Sequence, residues 1–325
     1  MNSRRQRVGA AVLLLGLGFA ADRAHAQAYP VRPLRMVVPA APGGGTDFVA
    51  RVLSGKLAER LGQPVVIDNR GGAGGSVGTE LVARSSGDGY TLLMVFVNFA
   101  IYPSLYAKLG FDPIRDFEPV SELATTPLVL VVNPSLPVKS VSELIALAHK
   151  PGSALNYAAP GVGSLGHLAG ELFKQMAGIG MTHVPYKGGG PAIAALLGGE
   201  VQAYFSTMPA AVAQIRAGRL RALAVTGRRR VATEPTIPTI SESGLADYDV
   251  TGWFGALLPA RTPRAIVDQL NSSFEELLAS PEVKERFRNE GLEAQPSSPN
   301  EFAARIKDDV AKWAKVVKRA EIKPE

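Results

Sequence analysis

Two rhythms of hydrophobic and polar positions alternate along this chain. Short β-branched runs are interleaved with stretches whose apolar residues recur at helical spacing, the pattern of strands joined through crossover helices. Residues 34–39 read as a strand, 47–61 as a helix burying Val49, Val52, Leu53 and Leu57, and 65–68 as the next strand. A glycine loop at 70–75, a helix at 76–84 and a strand at 91–96 behind the turn Gly87-Asp88-Gly89 complete one α/β unit. A second unit starts at the apolar run 128–133, followed by a helix whose Ser140 and Glu143 have capping-box spacing. Strands at 155–158, 181–184, 201–205 and 220–225 then alternate with helices at 164–177, 191–197 and 209–217. After a strand at 250–257 the chain turns helical. Helices are expected at 263–278 (Thr262 as N-cap, Pro263 at the first helical position), 282–289, and 301–319 behind Asn300. These late helices have no strands of their own to cover, so they are expected to pack back on the first unit. That yields a discontinuous first lobe, 27–126 with 251–325, and a second lobe, 127–250, connected by crossing segments near 125–129 and 249–252. Two lobes joined by two strands have a hinge and a cleft.

The first residues read as an address. Arg4, Arg5 and Arg7 precede an apolar run at 8–20, and Ala24-His25-Ala26 is a small-x-small cleavage site, so residues 1–26 are expected to be a signal peptide cleaved after Ala26. The run is shorter than the roughly 20 residues that span a bilayer. Ser3-Arg4-Arg5 is reminiscent of a twin-arginine signal, but Arg7 stands where that signal carries Phe, which favours general secretion into the periplasm.

Charge and composition exclude several functions. Removing residues 1–26, with four arginines and one aspartate, lowers the formal charge from +6 to +3. Neither Arg228-Arg229-Arg230 nor the lysines between 307 and 323 have interleaved aromatics to stack bases, so both read as solvated surface and no nucleic-acid partner is expected. The chain has no cysteine, and its four histidines (25, 149, 167, 183) are not spaced as helix-borne metal ligands. No cofactor and no metal are expected.

Six blocks carry a family resemblance: PAAPGGGTDFVAR (39–51), LGQPVVIDNRGGAGGSVG (61–78), DGYTLL (88–93), NYAAPGVGSLGHLAGELF (156–173), HVPYKGGGPAIAALLGGEV (183–201) and WFGALLPARTP (253–263). In this order they resemble the Bug-type solute receptors, the extracytoplasmic substrate-binding proteins of tripartite tricarboxylate transporters. The resemblance implies an α/β, two-lobed type II periplasmic-binding-protein fold, each lobe a mostly parallel sheet flanked by helices. It further implies a small carboxylate (a di- or tricarboxylate, an acidic amino acid or an aromatic acid) in the interlobe cleft, no catalysis, and membrane permease subunits as partners; a monomer is expected. A co-receptor presenting its ligand to a sensor, and a periplasmic enzyme acting on an acidic metabolite, are the alternatives. Two positions depart from the family: Gly71 stands where these receptors usually have Pro, and Val97-Asn98-Phe99 replaces a small, hydroxyl-rich stretch.

The residues themselves point the same way. Gly43, Gly44, Gly45 and Thr46 lie between a strand and a helix, where backbone approaches a bound group and the first helical N–H groups favour an anion. No Lys follows these glycines, as a P-loop would require, and Asp47 would face any phosphate. Thr46 is a helix N-cap or a ligand contact; Asp47 orients a water or the loop, or complements the helix dipole. The turn Gly161-Val162-Gly163-Ser164 repeats this geometry in the second lobe, so two helix termini would grip one carboxylate. Ser164 is not a nucleophile-elbow serine because Val162 stands where that motif needs Gly, and His167 reads as a capping or ligand-facing side chain. The candidate ligand-binding set is therefore Ala41, Gly43, Gly44, Thr46, Asp47, Asn98, Ala159, Gly161, Gly163, Ser164, His167, Ser206 and Thr207, with Asn98, Phe99, Ser206 and Thr207 setting specificity. Loop 70–75 is assigned to packing, and Tyr186–Gly190 is either a turn or a rim that closes on ligand. Ser206 and Thr207 cap a helix or aim into the cleft. Trp253 and Phe254 read as core.

Overall fold

The computed structural model describes residues 29–106 and 108–319, so the expected signal peptide lies outside the described residues. The first half of the fold comprises β1 (Leu34–Val38), α1 (Gly45–Leu61), β2 (Val65–Asn69), a 3-10 turn (Ala73–Gly75), α2 (Ser76–Ala83), β3 (Thr91–Phe96) and α3 (Asn98–Leu105). A 16-residue strand, β4 (Phe117–Val132), leaves it. The second half holds α4 (Val141–Ala148), β5 (Asn156–Ala159), α5 (Leu165–Ala177), β6 (Thr182–Pro185), α6 (Gly189–Leu197), β7 (Ala203–Thr207), α7 (Met208–Arg216) and β8 (Arg221–Val225). Strand β9 (Thr251–Pro259) returns, and α8 (Arg264–Ala279), α9 (Pro281–Asn289), β10 (Glu293–Ala294) and α10 (Pro299–Arg319) follow.

The outer strands are parallel, β2-β1-β3 on one side and β7-β5-β6 on the other, as βαβ crossovers require. The crossing strands differ, since β4 and β9 run antiparallel to every strand they pair with. The reason is topological. A chain that leaves one half and later returns along the same seam must run in opposite directions there, and Thr126 faces Gly252 while Pro127 faces Thr251. Residues 117–127 of β4 pair with β9, whereas 128–132 pair with β7 and β8. Pro127, which has no N–H to donate, stands where the strand changes partners.

Helices α8 and α9 bury Val267, Leu270, Phe274 and Phe287 in one core with Leu34, Met36, Val49, Leu53 and Leu57 of β1 and α1. Helix α10 lays Phe302, Ile306 and Trp313 into a core that contains Phe99 and Ile101 of α3. Trp253 is fully buried there, edge-on to Phe302, and its indole N–H donates to Asp309 at 2.6 Å. Phe254 is equally buried.

Side-chain caps mark the starts of α4, α5, α9 and α10. The Ser140 hydroxyl accepts from Glu143 N at 3.1 Å, and the Glu143 carboxylate accepts from Lys139 N at 2.6 Å. Two starts differ from expectation. Pro263 itself is the N-cap of α8, and the Thr262 hydroxyl donates instead to Pro259 O at 2.8 Å. Helix α10 is capped by Ser298 and Glu301 rather than by Asn300: Glu301 N donates to Ser298 Oγ, and Ser298 N to the Glu301 carboxylate at 2.8 Å.

Candidate ligand-binding site

A cavity of about 60 Å³ lies at the C-terminal ends of β1, β3, β5 and β7, where ligands of open α/β sheets bind. Six helices present their N-terminal ends to it: α1 through Gly44, Gly45 and Thr46, α2 through Gly75, α3 through Asn98, α5 through Ser164, Leu165 and Gly166, α6 through Gly188 and Gly189, and α7 through Thr207. Among the described residues lining the cavity there is no Asp or Glu, and Lys187 is its one charged side chain. The first intrahelical hydrogen bonds of α1 and α5 are made by Phe48 and Leu168, which leaves the N–H groups of Gly45, Thr46 and Gly166 without an intrahelical acceptor. Phe96, Phe99, Tyr102, Leu128, Tyr204 and Phe205 supply an apolar and aromatic wall.

Of the sequence-derived candidates, Gly44, Thr46, Asn98, Ser164 and Thr207 line this cavity and the other eight do not, Gly161 lining a neighbouring pocket instead. Thr46 is not an N-cap, since Gly44 holds that position. Asp47 is 3% exposed; its carboxylate accepts from Gly43 N (3.0 Å), Asn69 Nδ2 (3.0 Å) and Arg51 Nε (2.9 Å), so it fixes the glycine turn. Burial alone would raise its pKa, but these hydrogen bonds and the Arg51 charge outweigh burial and hold it below the usual carboxylate range. The Gly43 N–H is thereby engaged, and the Ala41 N–H donates across the cleft to Lys187 O at 3.1 Å.

In the second half, Ser164 caps α5 by accepting from His167 N at 3.2 Å. The Gly163 N–H, expected to hold ligand, donates instead to His167 Nδ1 at 3.0 Å. His167 Nδ1 therefore faces the turn. Its other ring nitrogen lies 3.7 Å from Glu171 Oε1, and its ring stacks on His183 with centroids 3.9 Å apart. Burial drives the His167 imidazole down to about 4 and His183 to about 3, so both are neutral near pH 7. Ala159 supplies a carbonyl that accepts from the Gly161 and Tyr186 N–H groups. The Ser206 hydroxyl is buried against Thr207 O, and Thr207 packs its side chain on Gly45.

Loop 70–75, assigned to packing on sequence grounds, brings Gly72, Gly74 and Gly75 to the cavity, with Tyr102 Oη donating to Gly74 O at 2.7 Å. Lys187, Gly188 and Gly189 take the rim position. Here the halves meet backbone to backbone. A Cβ on Gly161 would lie 2.6 Å from Gly74 Cα, and one on Gly190 would enter the Pro42 carbonyl. Asn98 adds a side-chain bridge, its Oδ1 accepting from Leu165 N at 2.8 Å. The aromatic wall apart from Phe99 was not anticipated from sequence. The signal for it is position: Phe96 and Phe205 lie close to the C-terminal ends of strands that run straight into helices.

An α/β protein with a cavity set between two halves at converging helix N-termini belongs to the class of periplasmic-binding-protein folds. Residues 49–322 match the model of the tripartite tricarboxylate transporter family receptor, and the chain belongs to that family. It is 39% identical over 320 residues, 98% of each chain, to Protein BugT of Bordetella pertussis. Its structure superposes on the periplasmic binding protein BugD with a TM-score of 0.88 at 36% identity, covering 91% of this chain and 100% of that one. An R. palustris protein solved with adipate gives 0.89 at 38% identity, again over 91% and 100%.

Proposed function

We propose that this chain is a periplasmic receptor that captures a small carboxylate in the cavity described above and delivers it to the permease of a tripartite tricarboxylate-type transporter. The observation that carries this reading is the convergence of six helix N-termini on one cavity whose lining, among the described residues, lacks a carboxylate. Each N-terminus carries roughly half a positive charge, and hydrogen bonds to an anion contribute about 1.5–3 kcal/mol each. The N–H groups of Gly45, Thr46 and Gly166 are the donors that face the ligand carboxylate. A cavity of about 60 Å³ exceeds the roughly 10–15 Å³ that one water needs, which suits a ligand of a few carbon atoms. The aromatic wall meets the rest of the molecule and sets preference.

Residues 27–126 with 251–325 form one lobe and 127–250 the other, hinged at 125–129 and 249–252, and residues 1–26 are the export signal. Each chain holds both walls of its site and works as a monomer. The adipate with which the R. palustris protein was solved supports a carboxylate here. Native mass spectrometry of the exported, untreated protein should reveal a bound acid. Calorimetry of the refolded protein should then give micromolar or tighter binding for a member of a panel of linear dicarboxylates, hydroxy acids and aromatic acids. A folded protein that binds none of them overturns the proposal.

A further inference from the structure

On the far side of the crossing strands lies a second cavity, of about 360 Å³. Its floor is Thr125–Pro127 of β4 and Thr251 of β9, one wall is the segment 227–233 after β8, and the opposite wall is Arg288 with residues 291–293 beyond α9. Four arginines face this space: Arg228, Arg229, Arg230 and Arg288. Two are held by acidic neighbours, Arg228 by Asp249 at 2.8 Å and Arg230 by Glu242 at 2.8 Å. Arg229 and Arg288 have no ion-pair partner among the described residues, although both are exposed. We propose that this cavity is a binding site for a small divalent oxyanion of the phosphate type, held between Arg229 on one wall and Arg288 on the other.

The charges nearby decide the sign. Asp249 and Glu293 also line the cavity and Glu242 pairs with Arg230, so four arginines against three carboxylates leave a net +1. The C-terminal end of α9 adds roughly half a negative charge, too little to reverse this. Its carbonyls are moreover already taken: Arg288 O accepts from Thr233 Oγ1 at 3.1 Å, Asn289 O from Arg216 at 2.8 Å, and Gly291 O from Thr126 Oγ1 at 3.0 Å. A guanidinium presents two parallel donors, a fork that fits a tetrahedral oxyanion in a way a lysine ammonium cannot. The hydroxyl of Thr125 stands on the floor as a further donor, while that of Thr251 donates to Asp249 Oδ1 at 3.4 Å. An anion there would touch segments from both sides of the crossing. Given the hinged-receptor reading above, on which this second step rests, its occupancy therefore shifts the balance of open and closed forms, and by linkage the affinity of the carboxylate site.

The test uses the full mature chain in chloride buffer at fixed ionic strength, titrated with inorganic phosphate by calorimetry. Saturable binding is expected, weakened at least tenfold in the double variant Arg229→Ala/Arg288→Ala and unchanged in Arg219→Ala, an exposed arginine away from this cavity. Circular dichroism should show both variants folded. Arg288→Lys should retain charge yet bind more weakly than wild type. Absent phosphate binding, or equal binding by wild type and double variant, overturns the site; the second result would place phosphate elsewhere, including the carboxylate cavity. Carboxylate affinity measured with and without saturating phosphate should differ, and the difference should vanish in the double variant; an unchanged affinity overturns the linkage. If no carboxylate binds at all, the receptor reading fails while the oxyanion site still stands on the phosphate titration.

Discussion

Asn98 has one hydrogen bond that reaches from α3 to the first N–H of α5, and this bridge sets what its removal does. Asn98→Ala deletes a contact between the two walls, so affinity should fall about three- to tenfold, the worth of one hydrogen bond, by nearly the same factor for every acid tested. The sequence alone suggested a reordering of preferences instead; a calorimetric panel in which the ranking changes would restore that role. His167 allows a prediction with a definite sign. Its folded pKa of about 4 lies below the ordinary value of 6.5, so the folded state resists protonation. Stability from this group is complete above pH 6.5 and is lost as pH falls toward 4, by on the order of 3 kcal/mol for the whole shift. In His167→Asn, where the amide oxygen can still accept from Gly163 N, urea midpoints should decline less steeply between pH 6.5 and 4. An identical slope would show that His167 does not titrate as its burial demands. Asp47 acts with the same sign but lower on the pH scale: its contribution is full well above 3.8 and fades below that value.

Among elements, helix α10 offers the cleanest test, because its capping pair Ser298 and Glu301 lies on the surface away from the cavity. Ser298→Ala should lower stability by about 1 kcal/mol without altering ligand affinity. A thermal midpoint equal to wild type would show the cap to be redundant. The same pair shows how far the sequence could be read. The helix itself was evident from its apolar spacing, but several polar residues precede it, and only the reciprocal bonds reveal which of Ser298 and Asn300 is the cap. Most strands and helices were legible because β-branched runs and amphipathic stretches follow one another with clear turns. Helix α3 was not, because Pro103 sits inside its eight residues and its faces are almost uniformly apolar. The first half of β4 was missed because Ser121, Glu122 and Thr126 are polar yet buried, which hides the strand rhythm. At the site, the glycine turns announced themselves, but which N–H groups remain free did not. That depends on Asp47, His167 and Asn98 reaching back to Gly43, Gly163 and Leu165, bonds between residues that composition and spacing do not connect.

On the receptor proposal closure is the measurable act for the whole molecule, and Gly190 is the position where it should be blocked selectively. Gly190 lies within α6, where Ala is locally favourable by roughly 1 kcal/mol, yet its Cβ would enter the Pro42 carbonyl of the facing wall. Wild type should contract on binding its acid, with a smaller radius of gyration in solution scattering and unchanged circular dichroism. Gly190→Ala should keep its helix content, bind weakly and contract less. Equal contraction in the two proteins would show that the walls can meet without this seam. Because the halves meet main chain to main chain, at Gly74 against Gly161 and Gly44 against Gly189, these seams do not depend on the aromatic side chains that line the cavity. Inheritance then treats grip and taste as separate characters. Exchanges at Phe96, Phe99 or Tyr204 alter the space offered to the body of the acid while leaving the closing surfaces as they were. On the receptor proposal, a duplicated copy of such a gene starts with a working trap, and has only its menu left to change.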